Sequence, residues 1–288
     1  MTLPRIGVFD SGVGGLTVLR AMAEQLSAHY LYFGDTARLP YGTKSADTVA
    51  RYAIGATRFL EAQNIDLLVI ACNTATALAL PQIKQAAHVA VIGVVEPGAD
   101  MAAEVSRSRA VIVIATEATV SSHAYRDALR QRDLEAYEKA CPLFVPLVEE
   151  GWIEHSVTEQ VARIYLGEAM AESSHTADVL VLACTHYPLI APLLRRITPD
   201  TVKIVDSAES TARAVRKMLQ DPECHPERSE AALATGRSRR TASNTRVFVS
   251  DHRTFRFFVT DSTDKFKRLA TRFLGRQVDH VDHVDLGG

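Results

Sequence analysis

The sequence predicts an α/β protein made of two similar halves, each with a mostly parallel sheet, and a ligand site in the cleft between them. Three observations carry this. Short aliphatic runs alternate with longer Ala- and Leu-rich stretches over most of the chain, the pattern of βαβ units. The run Asp66-Leu-Leu-Val-Ile-Ala-Cys72 is matched by Asp178-Val-Leu-Val-Leu-Ala-Cys184, and Asn73-Thr74 and Thr185-His186 follow in turn. Upstream, Asp10-Ser11 stands 62 residues before the first cysteine (10 to 72) and Thr116 stands 68 before the second (116 to 184), each closing an aliphatic run. Chance likeness between buried strands explains the aliphatic residues. It does not explain Asp, Ala, Cys and a polar pair at equal offsets.

In chain order, strands are predicted at 6–9, 30–33, 67–71 and 90–94 in the first half, with helices at 16–26, 47–63 and 75–87. The second half offers strands at 110–114, 143–145, 179–183 and 202–205. Segment 221–245 is charged, dense in Arg and Ser and poor in large apolar residues. It cannot bury enough surface to order itself, so it reads as a surface insertion or mobile loop. Beyond it, 247–249 and 257–260 read as strands and 264–274 as an amphipathic helix. The chain is thus expected to divide into 1–97 plus 207–288 and 98–206, the tail returning to the first half. The ending HVDHVDLGG has a His280/His283 spacing, but reads as a frayed terminus rather than a metal site.

Composition narrows the function. The chain has 288 residues, 47% apolar and 23% charged, and its 32 basic and 34 acidic side chains leave a net charge of −2. That is not the electrostatic footprint of a nucleic-acid or membrane binder. The start MTLPRIGVFDSG shows no signal-peptide core, and no apolar run is long enough to span a bilayer. Four cysteines (72, 141, 184 and 224) lie far apart with no C-x-x-C, which points away from zinc and disulfides and toward a reducing cytoplasm.

A cysteine that only packs would sit inside an apolar run. Cys72 and Cys184 instead end theirs, beside polar groups, where a thiolate can form. If the halves face each other, the two thiols meet across one cleft. Two acid/base groups facing one carbon suit a reaction that takes a proton from one face and returns one to the other. FDSGVGGLTVL (9–19) superficially suggests a dinucleotide fingerprint, but Thr17 stands where G-x-G-x-x-G needs glycine and no Walker lysine follows. It reads instead as a helix N-terminus able to receive a carboxylate. GDTARLPYG (34–42) is a turn-rich loop. No lysine lies in these motifs for a pyridoxal Schiff base and no arginine clamps an acid, so a carboxylate is expected to meet N–H, hydroxyl and amide donors.

DSGVGGLTVL, GDTARLPYG, ACNTATALAL, GVVEPGA, ACPLFVPLVEEG and ACTHYPLI together resemble the cofactor-independent glutamate racemases, in order and over nearly the whole chain apart from 221–245. The resemblance implies two flavodoxin-like domains with the active site between them, and interconversion of L- and D-glutamate for peptidoglycan without cofactor or metal. It implies Cys72 and Cys184 as the two bases, supported by Asp10 and His186, with Glu149 assisting. Substrate contacts carry over to Asp10, Ser11, Tyr41, Gly42, Asn73, Thr74, Thr185 and His186, and to Thr116 and Thr119. A cytoplasmic homodimer is implied. The family often has glycine where Ala115 precedes Thr116. A related racemase acting on aspartate or another small amino acid is the alternative. A binding protein without turnover has no need of both thiols, and a cysteine hydrolase needs one nucleophile, not a matched pair.

Overall fold

The computed structural model describes residues 3–220 and 253–287. Its ten strands are β1 Arg5–Asp10, β2 His29–Gly34, β3 Leu67–Ile70, β4 Ala90–Gly93, β5 Ala110–Ala115, β6 Glu135–Ala140, β7 Val179–Ala183, β8 Lys203–Asp206, β9 Thr254–Val259 and β10 Asp282–His283. Between them run the helices α1 Leu16–Gln25, α2 Ala46–Glu61, α3 Asn73–Ala86, α4 Val95–Val105, α5 Glu117–Ser121, α6 Ala124–Arg130, α7 Phe144–Glu149, α8 Ser156–Glu172, α9 Ala191–Ile197, α10 Ser207–Gln220 and α11 Thr263–Leu274. The strands form two sheets, ordered β10-β9-β2-β1-β3-β4 and β6-β5-β7-β8, and every pairing is parallel. The predicted α/β class with parallel sheets is what the molecule has.

The internal likeness is topological as well. Counting within each half, both sheets run second, first, third, fourth strand. Each cysteine therefore follows the third strand of its half. That strand lies between two others and is buried along its length (LLVI and VLVLA). Continuous apolar runs are what a strand covered on both faces requires.

Periodicity decides the helices. In α11, Phe266, Leu269, Ala270, Phe273 and Leu274 are buried, one stripe at helical spacing. Ser262 caps its start by accepting from Lys265 N (3.2 Å), and Gly275 ends it at φ +74°. The helix packs on α1 and its Phe266 ring sits against Tyr32 and Phe257 at 5.9 and 6.2 Å. The tail thus completes the first sheet, with β9 in register beside β2 (Tyr32↔Phe257). One apolar core joins both sheets through α1, α10 and α11.

Three expectations change. The strand at 143–145 is instead the start of α7, whose Phe144 and Val148 are buried four residues apart. The second strand of that half is β6, EAYEKA, an edge strand with exposed and half-exposed polar residues; its weak apolar alternation hides it. The terminus is not frayed, since Val278 and Val281 are buried and Asp282–His283 pairs with β9. His280 there lies 2.9 Å from Asp282, and no three metal-ligating side chains cluster among the described residues. The expectations for 221–245 and 247–249 fall outside the described residues. No described helix is long and apolar enough to cross a membrane.

Phe266→Ala tests the tail's part in the fold. It removes a fully buried ring and should lower unfolding free energy by about 3–5 kcal/mol, read by urea titration; a change below about 1 kcal/mol would show that the tail adds little.

Candidate active site

Cys72 is reached by β3 and stands at the N-cap of α3, where its Sγ accepts from Ala75 N at 3.4 Å. The thiol also donates to Ser11 Oγ at 3.5 Å. Cys184 follows β7 directly and precedes the turn Thr185-His186. Both thiols open into one cavity of about 450 Å³. Its wall includes Ser11, Tyr41, Gly42, Asn73, Thr74, Thr116, Thr185, His186 and Glu149, so most of the residues singled out in the sequence converge here. Cys141, which is buried with a raised thiol pKa of about 12, does not line it and only packs.

Two expected residues lie behind the wall. Asp10 is buried at the end of β1, and its Oδ2 accepts from Gly12 N (2.8 Å) and Tyr32 Oη (3.4 Å), while Oδ1 has no partner. Thr119 is buried in a triangle of hydroxyls, 3.2 Å from Thr74 Oγ1 and 3.0 Å from Thr116 Oγ1; Thr74 and Thr116 are themselves 3.0 Å apart. This triangle ties α3 of one half to α5 of the other.

Some expected donors are already engaged. The Asn73 amide donates one Nδ2 hydrogen to Ser207 Oγ (3.2 Å) and accepts from Tyr125 Oη (2.7 Å). This leaves its second Nδ2 hydrogen, along with its backbone N–H at the start of α3, for a ligand. Tyr41 Oη donates to the buried Asp35 carboxylate at 2.6 Å, and Asp35 also accepts from Thr260 Oγ1 at 2.8 Å. The glycine turn already holds an internal carboxylate, because the Gly12 N–H donates to Asp10 Oδ2 at 2.8 Å. Gly14 has another reason to be glycine: a Cβ there would stand 2.2 Å from Thr185 Oγ1 and 2.6 Å from His186 Nδ1.

His186 Nε2 bonds Glu149 Oε1 at 3.1 Å, which holds the Glu149 carboxyl below its ordinary range. Several wall residues lack a signal in the sequence. Glu117, Thr43 and Leu39 are single residues in loops and helix starts, while Val145 lies in the predicted strand 143–145 and Pro142 and Pro146 flank it. Lys265 comes from α11, far along the chain, and is the one lysine or arginine on the wall among the described residues.

A model described as Asp/Glu/Hydantoin racemase matches residues 6–215, which take in both halves and both cysteines. The chain belongs to this racemase family. The glutamate racemase of Koribacter versatilis is 59% identical over 286 residues, covering 99% of this chain and 98% of that one. That of Geobacter metallireducens is 44% identical over 98% of this chain and 96% of its own length. Among solved structures, a glutamate racemase from Francisella tularensis in complex with D-glutamate superposes with a TM-score of 0.82, at 32% identity and 99% coverage of both chains. By family, the chain is an isomerase.

For a racemase the protonation of the thiols matters most. Burial, and then the Asp10 charge, push the Cys72 thiol up to about 11; its bonds from Ser11 and Ala75 oppose this. Burial pushes Cys184 up as well, opposed by the His186 N–H. The ligand-free protein therefore holds both as neutral thiols near neutral pH. A shift from 9.0 to about 11 cuts the thiolate fraction at pH 8 by about a hundredfold. Iodoacetamide should accordingly modify Cys72 in the ligand-free protein about a hundred times more slowly than a free cysteine. Mass spectrometry of timed samples reads this, and a Cys72 rate equal to free cysteine would refute the buried, neutral thiol.

Proposed function

We propose that this chain is a glutamate racemase in which Cys72 and Cys184 act as two bases, one on each face of the substrate's α-carbon. The observation that carries this reading is the convergence of two thiols from matching strands of separate sheets on one cavity. The name shared by its relatives, and the D-glutamate in the Francisella complex, support the choice of substrate.

The chemistry follows from the wall. Taking the α-proton leaves charge on the substrate carboxylate, so donors aimed at that carboxylate lower the barrier. The first N–H groups of α3, at Asn73 and Thr74, have no helical acceptor and sit at the positive end of the helix dipole. Hydroxyls of Ser11, Thr74, Thr116 and Thr185 and the backbone at Gly42 complete the set. Tyr41, held by Asp35, and Thr119, bonded to Thr74 and Thr116, support this wall from behind. A resting thiol must lose its proton before it can act as a base. Asp10, whose carboxyl burial raises, is placed to take it on the Cys72 side, and His186 with Glu149 on the Cys184 side. The substrate ammonium, entering as water leaves, favours the thiolate over the thiol. Cys184 then deprotonates L-glutamate while Cys72 delivers a proton to the other face, and the roles reverse for D-glutamate. No cofactor or metal enters the scheme. The product D-glutamate is a peptidoglycan precursor, and we assign the enzyme that supply role.

In heavy water without added cofactor, early D-glutamate made from L-glutamate should carry deuterium at Cα while recovered L-glutamate stays protiated. Mass spectrometry of the separated enantiomers reads the label, and equal early label in both would point to a single base. Cys72→Ala and Cys184→Ala should each abolish racemisation followed by circular dichroism; near-parental turnover in either would end the two-base reading.

Asp10→Asn separates catalysis from stability. Burial raises the Asp10 pKa above its unfolded value, so ionising the carboxyl as pH rises opposes folding, and the ionised form that takes the thiol proton carries that cost. The neutral amide should leave Tm unchanged or higher while kcat falls roughly a hundredfold or more. A lower Tm with normal kcat would assign Asp10 to structure.

A further inference from the structure

Helix α11 packs against the Glu149–His186 pair. Phe273 places its ring edge to face on the His186 ring, with centroids 5.0 Å apart. One residue earlier, Arg272 Nη1 donates to the backbone carbonyls of Val148 and Glu149, each at 3.0 Å. Those are the last two carbonyls of α7, a helix of six residues.

The end of this helix is only partly held by backbone. The Glu150, Trp152 and Gly151 N–H groups bond the carbonyls of Pro146, Leu147 and Val148. No backbone N–H among the described residues reaches the Glu149 carbonyl, and Pro146 supplies no N–H to bond the turn before it. Phe144 and Val148 are buried and anchor one face, but Glu149 is the terminal residue, where helices fray. The Glu149 carboxylate must nevertheless meet His186, which is carried by the β7 end, at 3.1 Å. A guanidinium bridging the two final carbonyls removes that freedom and complements the negative end of the helix dipole.

The chain makes room for this contact. Gly151, just past the helix, has φ +86°, and a Cβ on it would stand 2.6 Å from Arg272 Nη2. Glycine there both turns the backbone and admits the guanidinium. Lys265, one face-repeat earlier on α11, lines the cavity together with Glu149, so the helix meets this corner of the site at three points.

We propose that Arg272 is a positioning residue: by holding the carbonyl end of α7 it fixes where Glu149 meets His186. Its kinetic consequence rests on the racemase reading above. The His186 side serves Cys184, so slack at Glu149 weakens proton transfer at that thiol, and displacement by even an ångström is costly.

The test compares Arg272→Met, which keeps the aliphatic stem, with Arg272→Lys and with Arg268→Met, an exposed arginine on the same helix. Arg272→Met should lower kcat about tenfold, with Arg272→Lys intermediate, Arg268→Met unchanged and Tm close to the parent in all three. In a Glu149→Gln background, Arg272→Met should change kcat by less than about twofold, because a residue that acts through Glu149 has nothing left to position. Independently of turnover, NMR of the ¹⁵N-histidine-labelled protein should show the His186 ring signals, assigned with His186→Gln, moving in Arg272→Met in the same direction as in Glu149→Gln. Parental kcat in Arg272→Met, losses that multiply with Glu149→Gln, or unmoved His186 signals would each overturn the proposal. If Arg272→Met does not fold, Arg272→Lys carries the same comparisons. If the parent fails to racemise glutamate, the functional reading falls, while the His186 signals still decide this one.

Discussion

The approach of the Gly14 backbone to Thr185 and His186 sets how closely the two halves meet. A side chain at Gly14 would fall within bonding distance of both, so the turn after β1 and the turn after β7 touch without any spacer. Thr17 Oγ1 fastens the contact by donating to Thr185 O at 3.0 Å. The Thr74–Thr116–Thr119 triangle and the bond of Tyr125 to Asn73 join the halves again. The cavity is enclosed between these two seams. Ser11, Thr74, Thr116, Thr185 and His186, which face it, stand in or next to these seams.

The thiols show how burial and chemistry oppose each other. Burial makes a thiol a weaker acid and so a scarcer thiolate, but a thiolate that does form is a stronger base for a carbon acid. Cys141 meets the first condition without the second, for it is buried and does not line this cavity. Cys72 and Cys184 combine burial with a wall of donors and with an acid or imidazole nearby. Placement rather than residue type separates a packing cysteine from a candidate base.

Most of this placement was legible in the sequence. The paired aliphatic runs located β3 and β7 because buried parallel strands have no solvent face to interrupt them, and the polar residues after each cysteine marked the shared wall. What stayed hidden has physical reasons. Edge strand β6 is half exposed and carries Glu135, Glu138 and Lys139, so no apolar alternation announces it. The short helix α7 buries just two side chains, too few to display a period. The partners that orient the Asn73 amide, Tyr125 and Ser207, lie 52 and 134 positions away, so no local pattern reports them. Lys265, Arg272 and Phe273 reach the site from the tail, and no local pattern reports a contact of such sequence separation.

The return of the tail to the first sheet also orders events on the ribosome. Strand β9 pairs with β2, and the start of one lies 220 positions after the end of the other (34 to 254). At about 5–20 residues per second, synthesis takes roughly 11–44 seconds to cover that interval. During that time β2 is an open edge and α1 lacks the apolar cover of α11. Both thiols have by then been made, yet the site is unfinished, since Glu149 waits for its guanidinium and His186 for its aromatic neighbour. The nascent chain therefore keeps a sheet edge and an apolar helix face uncovered until nearly its last turn of helix has emerged, a window in which a chaperone that shields exposed sheet edges would matter more than it ever does for the finished molecule.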